Sequence, residues 1–146
     1  VRQQAISAAT RPVLYTGPDS VKGLRLCLPK GWAPVNTLAP LIDAGDLALV
    51  VPAEAKDCPR LVQAGKADLV VLNNFVAPHL IADAGLPLSA FQIAPKAIEI
   101  ASHYLLVSTG VPNGRALVKQ FNLGLDKLRR TGDYDRIMAK HIASGS

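Results

Sequence analysis

The stretch RLCLPKGWAPVNTLAPL, residues 25–41, contains the side chains and spacing best suited to hold a ligand. It predicts a short buried strand, a tight turn at Gly31 and then the start of a helix. A turn in this position can present backbone N–H groups to an anionic ligand. However, Trp32, Ala33 and Pro34 occupy the positions in which an anion cradle would usually carry hydroxyl groups. The turn is therefore either a binding site with altered side chains or only a connection between two elements.

The chain has two cysteines, Cys27 and Cys58. Two are too few for a disulfide-rich scaffold, and their spacing is wrong for a zinc site. The sequence alone allows one disulfide or two inert thiols in the core. A redox-active pair is disfavoured because the spacing is not CxxC.

No motif in the chain indicates catalysis. His79, His103 and His141 lie far apart, without the His-x-x-His or His-Glu-x-x-His spacing of a metal site. The sequence also lacks a G-x-S-x-G elbow, a G-x-x-x-x-G-K-[ST] loop and a G-x-G-x-x-G fingerprint. We therefore expect no enzyme activity, no metal site and no cofactor.

Composition narrows the class of protein further. With 146 residues, 49% of them hydrophobic and 18% charged, the chain has the size and the apolar content of one folded domain. No apolar run approaches the roughly 20 residues of a membrane span. The net charge is +5, but the densest basic cluster, Lys127, Arg129 and Arg130, falls late in a predicted helix, where cations complement the helix dipole. With only 5% aromatic residues, a nucleic-acid partner is not expected.

A repeating order of strand and helix positions the glycine turn. Apolar runs predict strands at 24–29, 47–52 and 67–72, with further strands at 88–94 and 103–108. Helices are predicted at 36–45, 57–65 and 74–85, each ending at a glycine, with Asn36 and Asp57 as N-caps. Three such units predict an α/β fold with a doubly wound, mostly parallel sheet covered on both faces.

The two ends of the chain follow a different pattern. Residues 1–20 predict an extended lead-in segment that ends in a turn. A helix is predicted from about 115 to 130, followed by a second helix at 133–143. The first helix carries an apolar stripe, formed by Leu117, Phe121, Leu125 and Leu128. The stripe needs a partner surface, so self-association through it is a possible outcome.

Three segments resemble the bacterial extracellular solute-binding proteins of family 3, the polar amino-acid-type binding components of ABC transporters. They are VKGLRLCLPKGW (21–32), LVQAGKADLVVLNN (61–74) and the long segment from HYLLVS to IMAKH (103–141). The last of these, with a Leu-rich helix, Gly-x-Tyr and Ile-x-x-Lys, is the most specific. Together they span nearly the whole chain.

The resemblance implies a two-lobed protein that closes around its ligand. Residues 21–100 would be the inserted α/β ligand-binding lobe, and 101–146 would be a hinge strand and C-terminal helices belonging to the first lobe. Members of the family usually exceed 200 residues, so much of the first lobe is expected to be lacking from this chain. The expected function is capture of a small molecule for the membrane subunits of an ABC importer. A ligand-sensing domain of the same fold in a receptor or regulator is the alternative.

By the same resemblance, the ligand contacts lie at the turn and at the end of a strand. The candidate ligand-binding residues are Lys30, Gly31, Trp32, Ala33, Asn73 and Asn74. Relatives usually carry an Asp at the position of Asn73, which pairs with the amine of the ligand. Because Asn is neutral, the site is not expected to select an ordinary α-amino acid. A neutral, aromatic or acidic ligand is one interpretation, and a purely structural role for Trp32 and the two asparagines is the other.

The implied fold also bears on the cysteines. Cys27 lies near the end of one strand and Cys58 begins the helix after the neighbouring strand, which favours a disulfide between them. Such a bond implies an oxidising compartment, and the family places the protein in the periplasm.

Overall fold

A computed structural model describes residues 1–143 of the chain. These residues form two compact units, Val1–Ala101 and the residues that follow it. The last three residues of the predicted segment 101–146 lie outside the described part. Each unit is considered by itself below.

The first unit is built on a six-stranded sheet. Its strands are β1 (Arg2–Ala8), β2 (Arg25–Cys27), β3 (Ala48–Val50), β4 (Leu69–Asn73), β5 (Phe91–Ile93) and β6 (Glu99–Ile100). The order is β3-β2-β4-β1-β5, and β6 also pairs with β1. β2 is parallel to β3 and β4, whereas β1 is antiparallel to β4, β5 and β6. The predicted α/β class is confirmed, but the sheet is mixed and not mostly parallel, because β1 is antiparallel to all three strands that it pairs with.

The lead-in segment, residues 1–20, contains a strand inside this sheet. In β1, Ile6 pairs with Val70 of β4 on one side and with Ile93 of β5 on the other. The sequence of β1, RQQAISA, carries a single bulky apolar residue, so its pattern gives little sign of burial. Its last four residues are nevertheless buried, because strands flank it on both sides and side chains cover both faces. The lead-in therefore belongs to the same unit as the sheet.

Helices alternate with the strands as predicted, but they are shorter. They are α1 (Ala39–Asp43), α2 (Asp57–Gln63) and α3 (Val76–Asp83). The glycines after them, Gly45, Gly65 and Gly85, have positive φ angles of 71–77°, which confirms the predicted helix ends. The predicted N-caps Asn36 and Asp57 are wrong: the caps are Leu38 and Lys56, and neither makes a side-chain capping bond.

The two remaining predicted strands differ in outcome. In the segment 88–94, a single 3₁₀ turn precedes β5. The segment 103–108 is not a strand, although HYLLVS has the residue types of one. A strand exists only where a neighbour completes its ladder of hydrogen bonds, and nothing in the described residues pairs with this segment.

The core lies on both faces of the sheet, as predicted. Adjacent residues of one strand point to opposite faces. Cys27 and Val70 belong to a cluster that includes residues of α2 and α3, and Leu26 and Leu69 belong to a second cluster that includes residues of α1. The sheet is thus a buried central layer.

The second unit contains α4 (Gly114–Thr131) and α5 (Asp133–Ala143), which contact each other. Gly132 joins them with a positive φ of 76°. On the predicted stripe of α4, Leu117, Phe121 and Leu128 are exposed, so α5 does not bury them. No helix within residues 1–143 has the length and apolar character needed to cross a bilayer.

An ion pair joins the start of β2 to the start of β4. The Asp68 carboxylate accepts bonds from the Arg25 backbone N–H at 2.8 Å and from its guanidinium at 2.8 and 3.0 Å. The guanidinium also donates to the carbonyl oxygens of Gly65 and Lys66. Hydrogen bonds from Arg25 hold the pKa of Asp68 below its ordinary value. Asp68 therefore orients backbone at the beginning of the strands, away from their carboxyl ends.

Asp68→Asn is expected to destabilise the protein by on the order of 1 kcal/mol at neutral pH, since the pair is partly exposed. A carboxyl group whose pKa is lower in the folded state stabilises the protein at pH values above its unfolded-state pKa. This stabilisation is lost as the pH falls through the folded-state pKa. The difference between wild type and variant should thus be constant from pH 7 to about 5 and shrink below about 4. Urea denaturation across this range measures it. Asp19→Asn, at the exposed Lys22 pair, is the control and should show almost no difference; a constant difference down to pH 2 would contradict the assignment.

Candidate functional site

A pocket of about 140 Å³ lies at the carboxyl ends of β2 and β4. Open α/β sheets bind ligands beyond the carboxyl ends of their parallel strands, so the position is the expected one. Its lining residues come from β1, β2, the glycine turn, β4 and α3: Gln3, Leu26, Cys27, Leu28, Trp32, Ala33, Pro34, Val35, Val71, Leu72, Asn73 and Val76.

The glycine turn is held by the neighbouring strand. The Lys30 N–H donates to the carbonyl oxygen of Pro52 at 2.9 Å, and the Trp32 N–H closes the turn on Pro29 at 3.0 Å. Gly31 has a φ of 83°, a conformation that a residue with a Cβ rarely adopts. These two hydrogen bonds and the glycine at position 31 therefore hold the backbone of the turn beside the pocket in one conformation.

The helix after the turn starts later than the sequence predicts. α1 begins at Ala39, six residues beyond Ala33, and has only five residues. Pro34 disfavours helical backbone at Ala33 and has no N–H of its own, so the chain leaves the turn in an extended form. The turn is consequently not at a helix N-terminus, and no helix dipole supports an anion there. Within residues 1–143, the Ala33 N–H has no acceptor, so it is free to meet a ligand.

Trp32 provides the flat apolar surface of the pocket. Its side chain is 45% exposed although it lines the cavity, so one part of the ring contacts protein and the rest faces solvent. It is also the sole tryptophan of the chain. Its fluorescence therefore reports on this pocket alone.

Asn73 is the last residue of β4, at the pocket, and its side chain hydrogen-bonds to the backbone at the start of α3. Its side-chain oxygen accepts bonds from the backbone N–H groups of Phe75 at 3.0 Å and Val76 at 2.9 Å. Both partners are donors, so the atom between them must be the amide oxygen and not the nitrogen. Asn73 therefore holds the backbone before α3, and it also lines the pocket.

The other candidate residues lie outside the lining. Asn74 pairs with β1: its side-chain oxygen accepts the Arg2 N–H at 3.0 Å, and its own N–H donates to the Arg2 carbonyl oxygen. Lys30 is exposed on the turn, and Gly31 shapes the turn without lining the cavity. Of the six predicted ligand-binding residues, the structure brings Trp32, Ala33 and Asn73 together.

Gln3 was missed by the sequence analysis. It reaches the pocket because β1 pairs with β4, where Gln3 lies opposite Asn73. No signal in the sequence marks it, since its role depends on an antiparallel pairing that the apolar pattern of β1 does not reveal. Val35 and Val76 were missed as well and add apolar lining.

The predicted disulfide is present. Cys27 and Cys58 are bonded, with their Cα atoms 5.6 Å apart, and both are buried. The bond joins the end of β2, directly before the glycine turn, to the first turn of α2. It therefore fixes one wall of the pocket to the core.

The lining carries no ionisable side chain, because its cysteine is bonded. Within residues 1–143, no cluster of three or more His, Cys, Asp or Glu side chains could hold a metal ion. What the arrangement offers is hydrogen bonding, through backbone and side-chain amides, and contact with an aromatic face.

Comparison with solved structures identifies the fold. The chain superposes on substrate-binding domain 2 of Lactococcus lactis GlnP in its open conformation, with a TM-score of 0.68 and 20% identity over 96% of this chain. It is similarly close to the second substrate-binding domain of a putative amino acid ABC transporter from Streptococcus pneumoniae (TM-score 0.69, 16% identity, 97% of the chain). A histidine kinase sensor domain with similarity to periplasmic binding proteins matches at a TM-score of 0.66 and 24% identity, over 96% of the chain. The expected periplasmic-binding-protein-like fold is confirmed.

The chain spans 57–60% of the length of these three structures. No protein-family model matches its sequence, and no curated protein matches it either. The identities below 25% establish the fold and leave the ligand to be argued from the pocket.

Proposed function

We propose that this chain is the ligand-binding part of an extracytoplasmic solute-binding protein that captures a small molecule for an ABC importer. The observation that carries the proposal is the pocket at the carboxyl ends of β2 and β4, bordered by Trp32, Ala33 and Asn73. It lies on a fold whose solved examples include substrate-binding domains of transporters. The lining holds no acid, base or metal ligand, which supports binding rather than catalysis.

The proposed mechanism is closure of two lobes around the ligand. Trp32 stacks on the apolar part of the ligand, while the Ala33 N–H and the Asn73 amide hydrogen-bond to its polar part. Gly31 fixes the turn, and Lys30 is exposed beside it. A ligand that contacts both lobes stabilises the closed arrangement by its differential affinity for it, and the closed form is what the transporter membrane subunits would recognise.

A periplasmic location is part of the proposal. A buried disulfide persists in an oxidising compartment and is rare in reducing cytosol. Two of the fold neighbours are substrate-binding domains, one of GlnP and one of a putative amino acid ABC transporter, which supports the membrane subunits of a transporter as the proposed partners. Self-association through the stripe on α4 stays a prediction, which the molecular mass in solution would test.

A ligand-sensing role is the second candidate, and one observation favours it. A histidine kinase sensor domain has the same fold and 24% identity to this chain. Deletion of the gene separates the two roles: loss of uptake of the bound solute supports transport, and normal uptake with a lost regulatory response supports sensing.

The direct test is a thermal-shift screen of the full protein with amino acids, organic acids, alcohols and aromatic acids at millimolar concentration. A ligand that binds only the folded state raises the unfolding midpoint by mass action. For a solute that raises the midpoint, Trp32→Ala should weaken binding by about tenfold or more, measured by calorimetry.

Leu14→Ala is the matched control, because Leu14 is a large, 65% exposed apolar residue of the same unit outside the pocket lining. It should leave the affinity unchanged. Absence of a shift with every class of solute would contradict the proposed function, and equal affinities of wild type and Trp32→Ala would place the site elsewhere.

A further inference from the structure

The strongest indication of ligand class is the hydrogen-bonding state of Asn73. Its oxygen is already occupied by the N–H groups of Phe75 and Val76. The amide nitrogen has no partner within residues 1–143. Every buried side-chain nitrogen or oxygen in the described part of the chain has a hydrogen-bond partner. The unpaired amide nitrogen of Asn73 is therefore accessible to solvent. At this pocket residue only the two donor hydrogens of the amide are therefore available to a ligand.

The rest of the lining offers further donors but no charged acceptor. The Ala33 N–H is unpaired in the described residues, and the Trp32 indole N–H is a donor without acceptor capacity. The remaining lining side chain with an acceptor, Gln3, is a neutral amide. No carboxylate lines the pocket. No side chain of either charge lines the pocket, so hydrogen bonds alone hold an ionic group of the ligand. The unpaired donors at Asn73, Ala33 and Trp32 can bond to a carboxylate, whereas an ammonium group needs acceptors.

We infer that the pocket takes a small carboxylate with a flat apolar body and without an ammonium group, an inference that rests on the proposed function. The carboxylate oxygens accept bonds from the Asn73 amide and the Ala33 N–H. The flat body lies against Trp32 and the apolar side chains of Val35 and Val76. The pocket volume, about 140 Å³, is close to that of a cavity known to hold benzene, about 150 Å³.

Three probes that share a phenylethyl body isolate the charge preference. They are 3-phenylpropionate, L-phenylalanine and 2-phenylethylamine, which carry a carboxylate, a carboxylate with an ammonium group, and an ammonium group alone. Each is titrated into the full protein, with calorimetry and Trp32 fluorescence as independent readouts. We expect 3-phenylpropionate to bind about tenfold more tightly than L-phenylalanine, and 2-phenylethylamine to bind most weakly.

Asn73→Asp tests the cause of this order. One carboxylate oxygen of the new side chain can still accept the Phe75 and Val76 N–H groups, so α3 and the thermal midpoint should be preserved. The second oxygen replaces a donor with a charged acceptor. We expect the variant to lose affinity for 3-phenylpropionate by at least about tenfold and to prefer L-phenylalanine over it.

Asn36→Asp is the matched control. Asn36 is exposed, lies on the segment between the glycine turn and α1, and does not line the pocket. The substitution introduces the same charge nearby, and the variant should bind the three probes in the same order of affinity as the wild type.

The outcomes separate the two proposals. Tighter binding of L-phenylalanine than of 3-phenylpropionate to wild type, or an order that Asn73→Asp leaves unchanged, overturns the inference and leaves the solute-binding function standing. Failure of all three probes to bind also overturns the inference. In that case a positive solute in the thermal-shift screen keeps the proposed function, and a negative screen overturns both.

Discussion

Replacement of Cys27 and Cys58 together with alanine is expected to lower the free energy of unfolding by about 3–4 kcal/mol. The disulfide closes a loop with a sequence separation of 31, and removing it restores the entropy of that loop to the unfolded chain. Both cysteines are also fully packed, so alanine leaves a small void. Since domains are stable by about 5–15 kcal/mol, the loss is a large part of the total. Urea denaturation of oxidised wild type and double variant measures it.

Reductant provides the control for this substitution. Dithiothreitol should lower the stability of wild type by a similar amount and should have no effect on the double variant. Alanine is preferred to serine because a hydroxyl in this core would have no partner. A double variant as stable as oxidised wild type would show that the bond does not constrain the unfolded chain, and that the structural role given to it is wrong.

The repeated part of the fold was predictable because its physical signals are local. Apolar runs followed by helices with glycine ends gave β2, β3 and β4 and the helices after them. The pairing of Cys27 with Cys58 also followed, because the resemblance makes their strands neighbours. The spacing of apolar residues and the glycines at helix ends are visible in the sequence, and the resemblance supplies the order of the strands.

The missed parts depend on contacts between distant segments. RQQAISA has no strong period, yet it becomes β1 because strands on both sides complete its hydrogen bonds. HYLLVS has the composition of a strand and is not one, because nothing within the described residues pairs with it. Composition alone cannot distinguish these two cases, since β-structure is decided by the neighbour.

The candidate site shows the same division. The strand β4 and the glycine turn lie where the sequence predicts them, so Trp32, Ala33 and Asn73 are predicted residues that line the pocket. Gln3 could not be found, because it depends on β1. The direction of the Asn73 amide could not be read either, since it is set by the backbone of α3. Local sequence patterns thus predict where these pocket residues lie, whereas the contacts of the folded chain decide which hydrogen bonds they can make.

Ile6→Ala is expected to lower the free energy of unfolding by roughly 2–5 kcal/mol, and it tests whether β1 belongs to the core. Ile6 is 1% exposed and lies in the cluster that contains the disulfide. Strands β4 and β5 pair with it on either side, so the surroundings cannot collapse onto the void easily. A lead-in outside the sheet would instead tolerate the change, within about 0.5 kcal/mol.

Ile100→Ala is the matched control for this substitution. Ile100 also lies in a strand that pairs with β1, but its side chain is 72% exposed. The same four-carbon side chain is thus shortened in a position with little burial, and urea denaturation should show almost no change. Equal effects at Ile6 and Ile100 would contradict the placement of β1. Gln3 would then have no reason to lie opposite Asn73, and its place in the pocket lining would have to be abandoned with it.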